Sequence, residues 1–439
     1  EVLRVLQIDG KLYHFTKNMA VSLGYYNNTI GNSKWCGSDM GTNVFLNEVI
    51  CNCDCGYLNG YVSDKTINTQ AFLFINLLFL ALVNNKAEIA FKNKAFALFC
   101  KENHFGVKPE SLIKSPKERH YRTTSKRRVS VLSGQVQIFP QESELEPEEH
   151  LICYQWILNK LNTPPFRYLA KSLNWIIIRG SYLYRTVIFN VDHLDANVVR
   201  KLKQMAKALQ ESSLKVTAAH VYVDPSRSDY YLESNRPKDI LAFKQLYGPR
   251  ELTLKLSDFS LRYPVTGFSQ INESQIQNLL NHAKRLLKPS KEYRLLDLYC
   301  GYGLFAFGIG KDCREVIGAE WEGPSVESAK ASAKYLKRFH YKFISGKIDE
   351  MFVERALPKP VEKEIILLDP PRKGCLPGVI EKLAKRNPER VLHVFCGTDE
   401  IPLALKEWQL AGYSPKEILP LDLFPGTAHI ETMILLEKR

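Results

Sequence analysis

The run Leu296-Asp297-Leu298-Tyr299-Cys300-Gly301-Tyr302-Gly303-Leu304-Phe305 decides the fold of the C-terminal third. A strand-like approach ends on an acid, two closely spaced glycines follow, and an apolar helical pattern resumes. That is how a parallel sheet hands its chain to a helix where backbone must come close to a ligand. Around it, Leu295–Tyr299, Glu315–Ala319, Tyr341–Ile344, Glu364–Leu368, Arg390–Phe395 and Thr432–Leu436 read as strands. Helical patterns such as Ser325–Phe339 and Gly378–Lys385 separate several of them. The alternation predicts an α/β fold with a doubly wound, mainly parallel, Rossmann-like sheet carrying helices on both faces.

Ligands of such sheets lie beyond the carboxyl ends of the strands, where strand order reverses. Tyr299, Gly301 and Gly303 line the expected turn, and Glu320, just after the next strand, is placed to accept hydrogen bonds from ribose hydroxyls. An adenosine-type pocket follows. Gly-x-Gly alone is a weak signal, and Ala306 stands where a dinucleotide fingerprint accepts glycine or alanine, so spacing leaves NAD open. Asp297 at one strand end and Asp369-Pro370-Pro371-Arg372 at another favour S-adenosylmethionine.

The chain has 439 residues, enough for about three domains. With 45% hydrophobic and 24% charged residues it is neither a disordered tail, a collagen-like repeat nor a polytopic membrane protein. A formal charge of +13 points to a polyanionic partner, with nucleic acid the candidate. Ten scattered cysteines make no extracellular disulfide framework, which favours a reducing cytoplasm. The apolar run 71–83 is shorter than the roughly 20 residues a spanning helix needs, so a buried helix and no membrane partner are expected, with a membrane-associated segment as the alternative. No signal peptide is visible, and a single catalytic set permits a monomer.

Three regions are expected: 1–110, of no assignable fold; 111–260, an α+β module with a largely antiparallel sheet; and 261–439, the doubly wound domain. Between 101 and 140 nine Lys or Arg face three acids, concentrated in 114–128. Arg122, Lys126, Arg127 and Arg128 are candidate phosphate contacts there, with His120 and Tyr121 as stacking rings. A merely solvated charged loop is the competing reading. The acidic stretch 142–149 reads as a mobile surface loop.

The ordered pieces Phe268-Ser269-Gln270-Ile271-Asn272, Leu296 to Gly303, Leu368-Asp369-Pro370-Pro371-Arg372-Lys373-Gly374, Val394-Phe395-Cys396 and Asp422 to Glu431 resemble the catalytic domain of the RNA (uracil-5-)-methyltransferase family. That family makes 5-methyluridine in transfer or ribosomal RNA. Weaker similarity reaches back through Tyr121-Arg122 to Ala87–Lys92. The resemblance implies an RNA partner, S-adenosylmethionine as cofactor, Cys396 as nucleophile and Glu431 as base. It also implies that Gln270, Tyr299, Glu320 and Asp369 line the cofactor and target site, with Phe268 beside the substrate.

The chemistry asks for these residue types. Uracil C5 is a poor nucleophile until a thiolate adds at C6, and a base must then remove the C5 proton. Asp369 can accept from uracil N3–H, which cytosine lacks. Position 372 is Arg rather than the aromatic of exocyclic-amine methyltransferases. Cys375 is a rival nucleophile, and Cys300 reads as structural. The family continues its nucleophile as Ser-Cys-Asn-Pro, whereas this chain has Phe395-Cys396-Gly397-Thr398. An RNA-binding protein with a degenerate site, or a small-molecule methyltransferase, therefore stand as alternatives. Cys51-Asn52-Cys53-Asp54-Cys55 does not match the family's iron–sulfur spacing, so no metal is expected.

Overall fold

The computed structural model describes residues 2–8, 11–16, 85–140, 143–227, 243–321 and 323–439. The apolar run 71–83 and the cysteines at 36 and 51–55 lie outside them. The chain divides into two units, Glu1–Phe91 and Lys92–Arg439. The first contains an antiparallel hairpin of β1 (Val2–Ile8) and β2 (Lys11–Thr16). The helix Asn85–Glu102 runs across the division.

In the second unit, β3 (Ser125–Leu132), β4 (Gln135–Phe139), β5 (Leu173–Gly180), β6 (Arg185–Val191), β7 (Val216–Val223) and β8 (Phe243–Tyr247) form one sheet in the order β4-β3-β5-β6-β7-β8. All pairs are antiparallel except β6 with β7. β5 and β6 are buried along their whole length, as central strands covered on both faces must be. The helices Glu148–Leu161 and Ala196–Gln210 pack their apolar stripes, Tyr154, Ile157 and Leu161 on one and Val198, Leu202, Met205 and Leu209 on the other, into this module's core. The α+β expectation for the middle of the chain is met.

A short hairpin, β9 (Glu251–Lys255) with β10 (Ser260–Pro264), leads to the large sheet. It comprises β11 (Arg294–Leu298), β12 (Glu315–Glu320), β13 (Tyr341–Ser345), β14 (Glu364–Leu368), β15 (Arg390–Phe395), β16 (Tyr413–Leu421) and β17 (Glu431–Lys438). Their order is β13-β12-β11-β14-β15-β17-β16. The first five are parallel, and β17 runs against both β15 and β16. The doubly wound expectation holds, with one strand unforeseen. Pro415 and Pro420 hide β16 from a propensity reading, but β16 is the sheet's outer strand, where proline is tolerated, and it is irregular between Pro415 and Glu417.

The strand order reverses at β11, with β12 on one side and β14 on the other, so the ends of β11, β12, β14 and β15 open onto one edge. The amphipathic helix Ile276–Leu287 buries Ile276, Leu279, Leu280, Ala283, Leu286 and Leu287 in the same core. Each such leucine contributes roughly 1.5–3 kcal/mol. Contact there is close: a Cβ at Gly308 would stand 2.4 Å from the Leu280 side chain.

Two expectations are overturned in the segment entering β3. The described part of the stretch 142–149, from Ser143 on, is not a free loop, because His120 N–H donates to Glu144 O at 2.9 Å, Arg122 N–H donates to Leu145 O at 2.8 Å, and Glu148 begins a helix. Arg127 is not a phosphate contact. It is 1% exposed, its guanidinium grips Glu146 at 2.9 and 2.5 Å and lies over the Tyr154 ring. Strand alternation explains the difference: Lys126 and Arg128 point one way from β3, and Arg127 points into the core.

At the amino-terminal edge of the large sheet, Glu364 is fully buried and accepts from Arg386 Nε and Nη2, both at 2.8 Å. Arg294 Nη1 stands farther off, 3.6 Å from Glu364 Oε2, so removing Arg386 leaves the buried carboxylate with that longer contact in place of two short hydrogen bonds. Arg386→Ala is expected to lower unfolding free energy in urea by about 3–5 kcal/mol, and Glu364→Leu/Arg386→Leu to recover much of that. Equal stability of Arg386→Ala and the parent would refute this reading.

Candidate active site

The turn after β11 is built around Asp297. Its buried carboxyl accepts the Ala306 N–H at 2.8 Å, satisfying a donor at the start of the helix Leu304–Ile309. Tyr299, Gly301 and Gly303 all have positive φ. Gly303 is required twice over, by φ +90° and because a Cβ would stand 2.9 Å from the Phe307 ring. Gly301 faces open space, with no heavy atom within 4 Å of where a Cβ would lie. Its N–H donates to Glu320 Oε2 at 3.0 Å, which ties the end of β12 to the turn.

Carboxyls crowd this edge. Burial pushes Asp297 up to about 8, with Asp369 and Glu320 adding to it. Burial, then Glu320, pushes Asp369 up to about 7. Asp297 Oδ1 is buried without a hydrogen-bond partner among the described residues, and the Tyr299 hydroxyl sits against the Cys375 thiol. An edge of mutually repelling acids beside an open glycine turn suits a cationic ligand with ribose hydroxyls and an amino group, so the residues present fit S-adenosylmethionine.

β15 delivers the next group. Phe395 pairs with Thr432 in the antiparallel register, which sets Cys396 and Glu431 next to one another across the two strands. Glu431 is 1% exposed, its Oε2 lacks a partner among the described residues, and burial followed by Asp369 raises it well above the usual carboxyl range. Cys396 is half-buried, and its thiol is pushed up to about 12 by burial, Glu431 and Asp369. Arg372 opposes that rise for both groups. Cys375 stands elsewhere, beside Tyr299, with Glu407 and Glu400 as its charged neighbours. Cys300 is buried inside the turn. Of the three cysteines, Cys396 is the one set against Glu431.

The Phe268–Asn272 segment crosses the same edge. Arg179 donates to Val265 O and Gly267 O at 2.5 and 2.6 Å, and Thr123 N–H to Ile271 O at 2.9 Å. Gln270 is buried whereas Phe268 is 62% exposed and free to meet a substrate. Arg122 forms a β-bridge with Asn272, which brings the first of the basic candidates to this segment. Lys126 and Arg128 lie over the Trp175 ring, at 4.6 and 5.5 Å. His429 is exposed, with its ring edge-on to Phe424.

Sequence reasoning missed what holds the β16–β17 connection. Lys92, fully buried, pairs with Asp422 at 2.7 Å and reaches Phe424 O at 3.3 Å. Gln275 donates to Asp422 O, Asn272 to Leu423 O, and the Tyr121 hydroxyl to Pro425 O, at 3.1, 2.9 and 3.0 Å. Four successive carbonyls are thus tied down ahead of Glu431. The motif Asp422 to Glu431 was visible in the sequence, but nothing local marks Lys92 as its partner.

The parallel sheet with one reversed strand, the glycine turn and the acidic strand ends define a class I methyltransferase domain. Residues 229–337 match the tRNA (Uracil-5-)-methyltransferase family. The chain is 27% identical over 378 residues to an uncharacterized RNA methyltransferase of Lactobacillus johnsonii, covering 82% of this chain and 81% of that one. It is 32% identical over 191 residues to the 23S rRNA (uracil(1939)-C(5))-methyltransferase of a Marinomonas species, covering 42% and 41%. It also shares its fold with the tRNA (uracil-54, C5)-methyltransferase of Pyrococcus abyssi, solved with S-adenosyl-L-homocysteine, at TM-score 0.62 and 18% identity over 83% of this chain and 86% of that one. Over these stretches the chain is similar to RNA (uracil-5-)-methyltransferases.

Two outcomes are expected here. Lys92→Met removes the cation that faces the buried Asp422 carboxylate at 2.7 Å, so it should lower the unfolding free energy by about 3–5 kcal/mol; an unchanged melting curve would show the pair to be dispensable. Because the Cys396 thiol sits near 12, its thiolate grows as pH rises. Its alkylation by iodoacetamide, followed by mass spectrometry, should climb about tenfold per pH unit from 7 to 9. A plateau within that range would contradict the raised thiol.

Proposed function

We propose that this protein transfers a methyl group to C5 of a uridine in transfer or ribosomal RNA through a covalent bond between Cys396 Sγ and uracil C6. The pairing of Cys396 with Glu431 across β15 and β17, with Asp369 acting on both, carries this reading. S-adenosylmethionine, when bound, supplies the methyl group. Asp297, Tyr299, Gly301, Gly303, Glu320 and Gln270 would hold it along the open glycine turn.

Cys396 gives up its proton to solvent water, and the thiolate adds to C6 while the C5–C6 electron pair moves onto C5 and O4. C5 then takes the methyl group. Glu431 removes the remaining C5 proton, the C5–C6 double bond re-forms, and the C6–S bond breaks to release Cys396. Arg372 favours the charged forms of both groups, against the burial that raises them. Asp369 accepts from uracil N3–H; a cytosine there would leave that carboxyl without its donor.

The target base must leave its stack to reach the strand ends. Phe268 offers an exposed ring at the entrance, and Arg122, Lys126 and Arg128 meet the flanking phosphates. A second reading, an RNA-binding protein with an inert site, is favoured by Gly397-Thr398, which replace the residues that usually follow the nucleophile.

Incubation with labelled S-adenosylmethionine and total RNA, then nucleoside digestion, separates the two. The parent should label 5-methyluridine, and Cys396→Ala should not. Glu431→Gln should form a denaturation-resistant protein–RNA adduct that resolves at least ~100-fold more slowly. Label in 5-methyluridine from Cys396→Ala would eliminate the covalent route. RNA binding without label in the parent would leave the inert-site reading.

A further inference from the structure

At the outer edge of the large sheet, opposite β16, the helix Gly323–Tyr335 and the chain entering β13 form an open groove of about 410 Å³. Lys330, Lys334, Arg338, Phe339 and Lys342 line it. Residues 330–342 carry five Lys or Arg and no acid. Glu327 pairs with Lys330 and Glu315 with Lys342, both at 2.8 Å. Among the described residues Lys334, Lys337 and Arg338 join no ion pair. Two large rings stand exposed along this stretch of chain, Phe339 at 85% in the groove itself and Tyr335 at 78% next to its Lys334.

Cations at a helix carboxyl terminus complement its dipole, which is the ordinary explanation for Lys334. It does not account for two bare rings alternating with the charges. Unpaired cations interleaved with exposed aromatics are the arrangement that meets a single-stranded nucleic acid, phosphates on the charges and bases on the ring faces. We infer that this groove is a second RNA-docking surface, holding a single-stranded segment that flanks the target uridine. The inference rests on the RNA-methyltransferase reading for the identity of the polyanion. β13 lies four strand positions from β15, roughly 19 Å at about 4.8 Å per strand, so the groove engages nucleotides other than the one at Cys396.

The test compares the parent with Tyr335→Ala/Phe339→Ala, which leaves net charge unchanged, and with Lys334→Gln/Lys337→Gln/Arg338→Gln. All five side chains lie outside the proposed catalytic set, and circular dichroism verifies that the variants fold. Filter binding of a labelled 30-nucleotide oligouridylate is measured over a salt series. The aromatic variant should bind about tenfold more weakly or worse. The glutamine variant should lower the slope of log affinity against log salt by about 2, from three lost phosphate contacts. Methylation of total RNA should show a raised KM with kcat unchanged.

Parental affinity and slope in both variants would overturn the docking surface, and leave the groove to a partner other than RNA. The two readings fail separately. A parent that binds oligouridylate but methylates nothing refutes the activity, while the binding comparison still decides the groove. A parent that methylates, with variants that bind as it does, refutes the groove alone.

Discussion

The site depends on one reversal of chain direction. Five strands of the large sheet run parallel, and their carboxyl ends alone would bring Asp297, Glu320, Asp369 and Cys396 to one edge. Because β17 enters antiparallel, its first residue rather than its last arrives at that edge. Glu431 is that residue, with Leu421 of β16 opposite it on one side and, by the register with β15, the position after Phe395 on the other. A slip of one residue would turn the carboxyl to the opposite face of the sheet.

The reversal places an acid among other acids in a dry environment. Asp297, Asp369 and Glu431 are each raised above the ordinary carboxyl range, chiefly by burial and secondarily by a neighbouring carboxyl, Asp369 and Glu320 at Asp297, Glu320 at Asp369, and Asp369 at Glu431. Such an edge is electrostatically incomplete by itself, which is the condition in which a cationic ligand binds favourably. The same crowding makes Cys396 a reluctant thiolate, and Arg372 is the positive group that works in the other direction. Catalytic potential and electrostatic cost come from the same residues.

Holding Glu431 in place requires chain from far away in sequence. The loop ahead of it is tied through its carbonyls to Lys92, Tyr121, Asn272 and Gln275, and Asp422 is closed off by a buried ion pair. The basic segment that enters β3 is therefore part of the site's support. Ile113 bridges to Leu421, Tyr121 reaches Pro425, and Arg122 bridges to Asn272 before the charges of β3 begin. An acidic strand of chain, from Glu144 to Glu146, is bound to that segment and absorbs Arg127.

By itself the sequence determined the α/β alternation, the glycine turn and the acidic strand ends, because each is written in residues within a few positions of one another. Local patterning also sufficed for the antiparallel middle sheet. It could not reveal β16, whose prolines speak against a strand unless the strand is known to be an outer one. Nor could it say that Arg127 faces inward between two outward neighbours, since a run of like charges has no visible period. Only the tertiary structure decided that Cys396 rather than Cys375 stands beside Glu431, and that Lys92 closes on Asp422. Those choices depend on register and on contacts across 330 positions of chain, which no local propensity encodes.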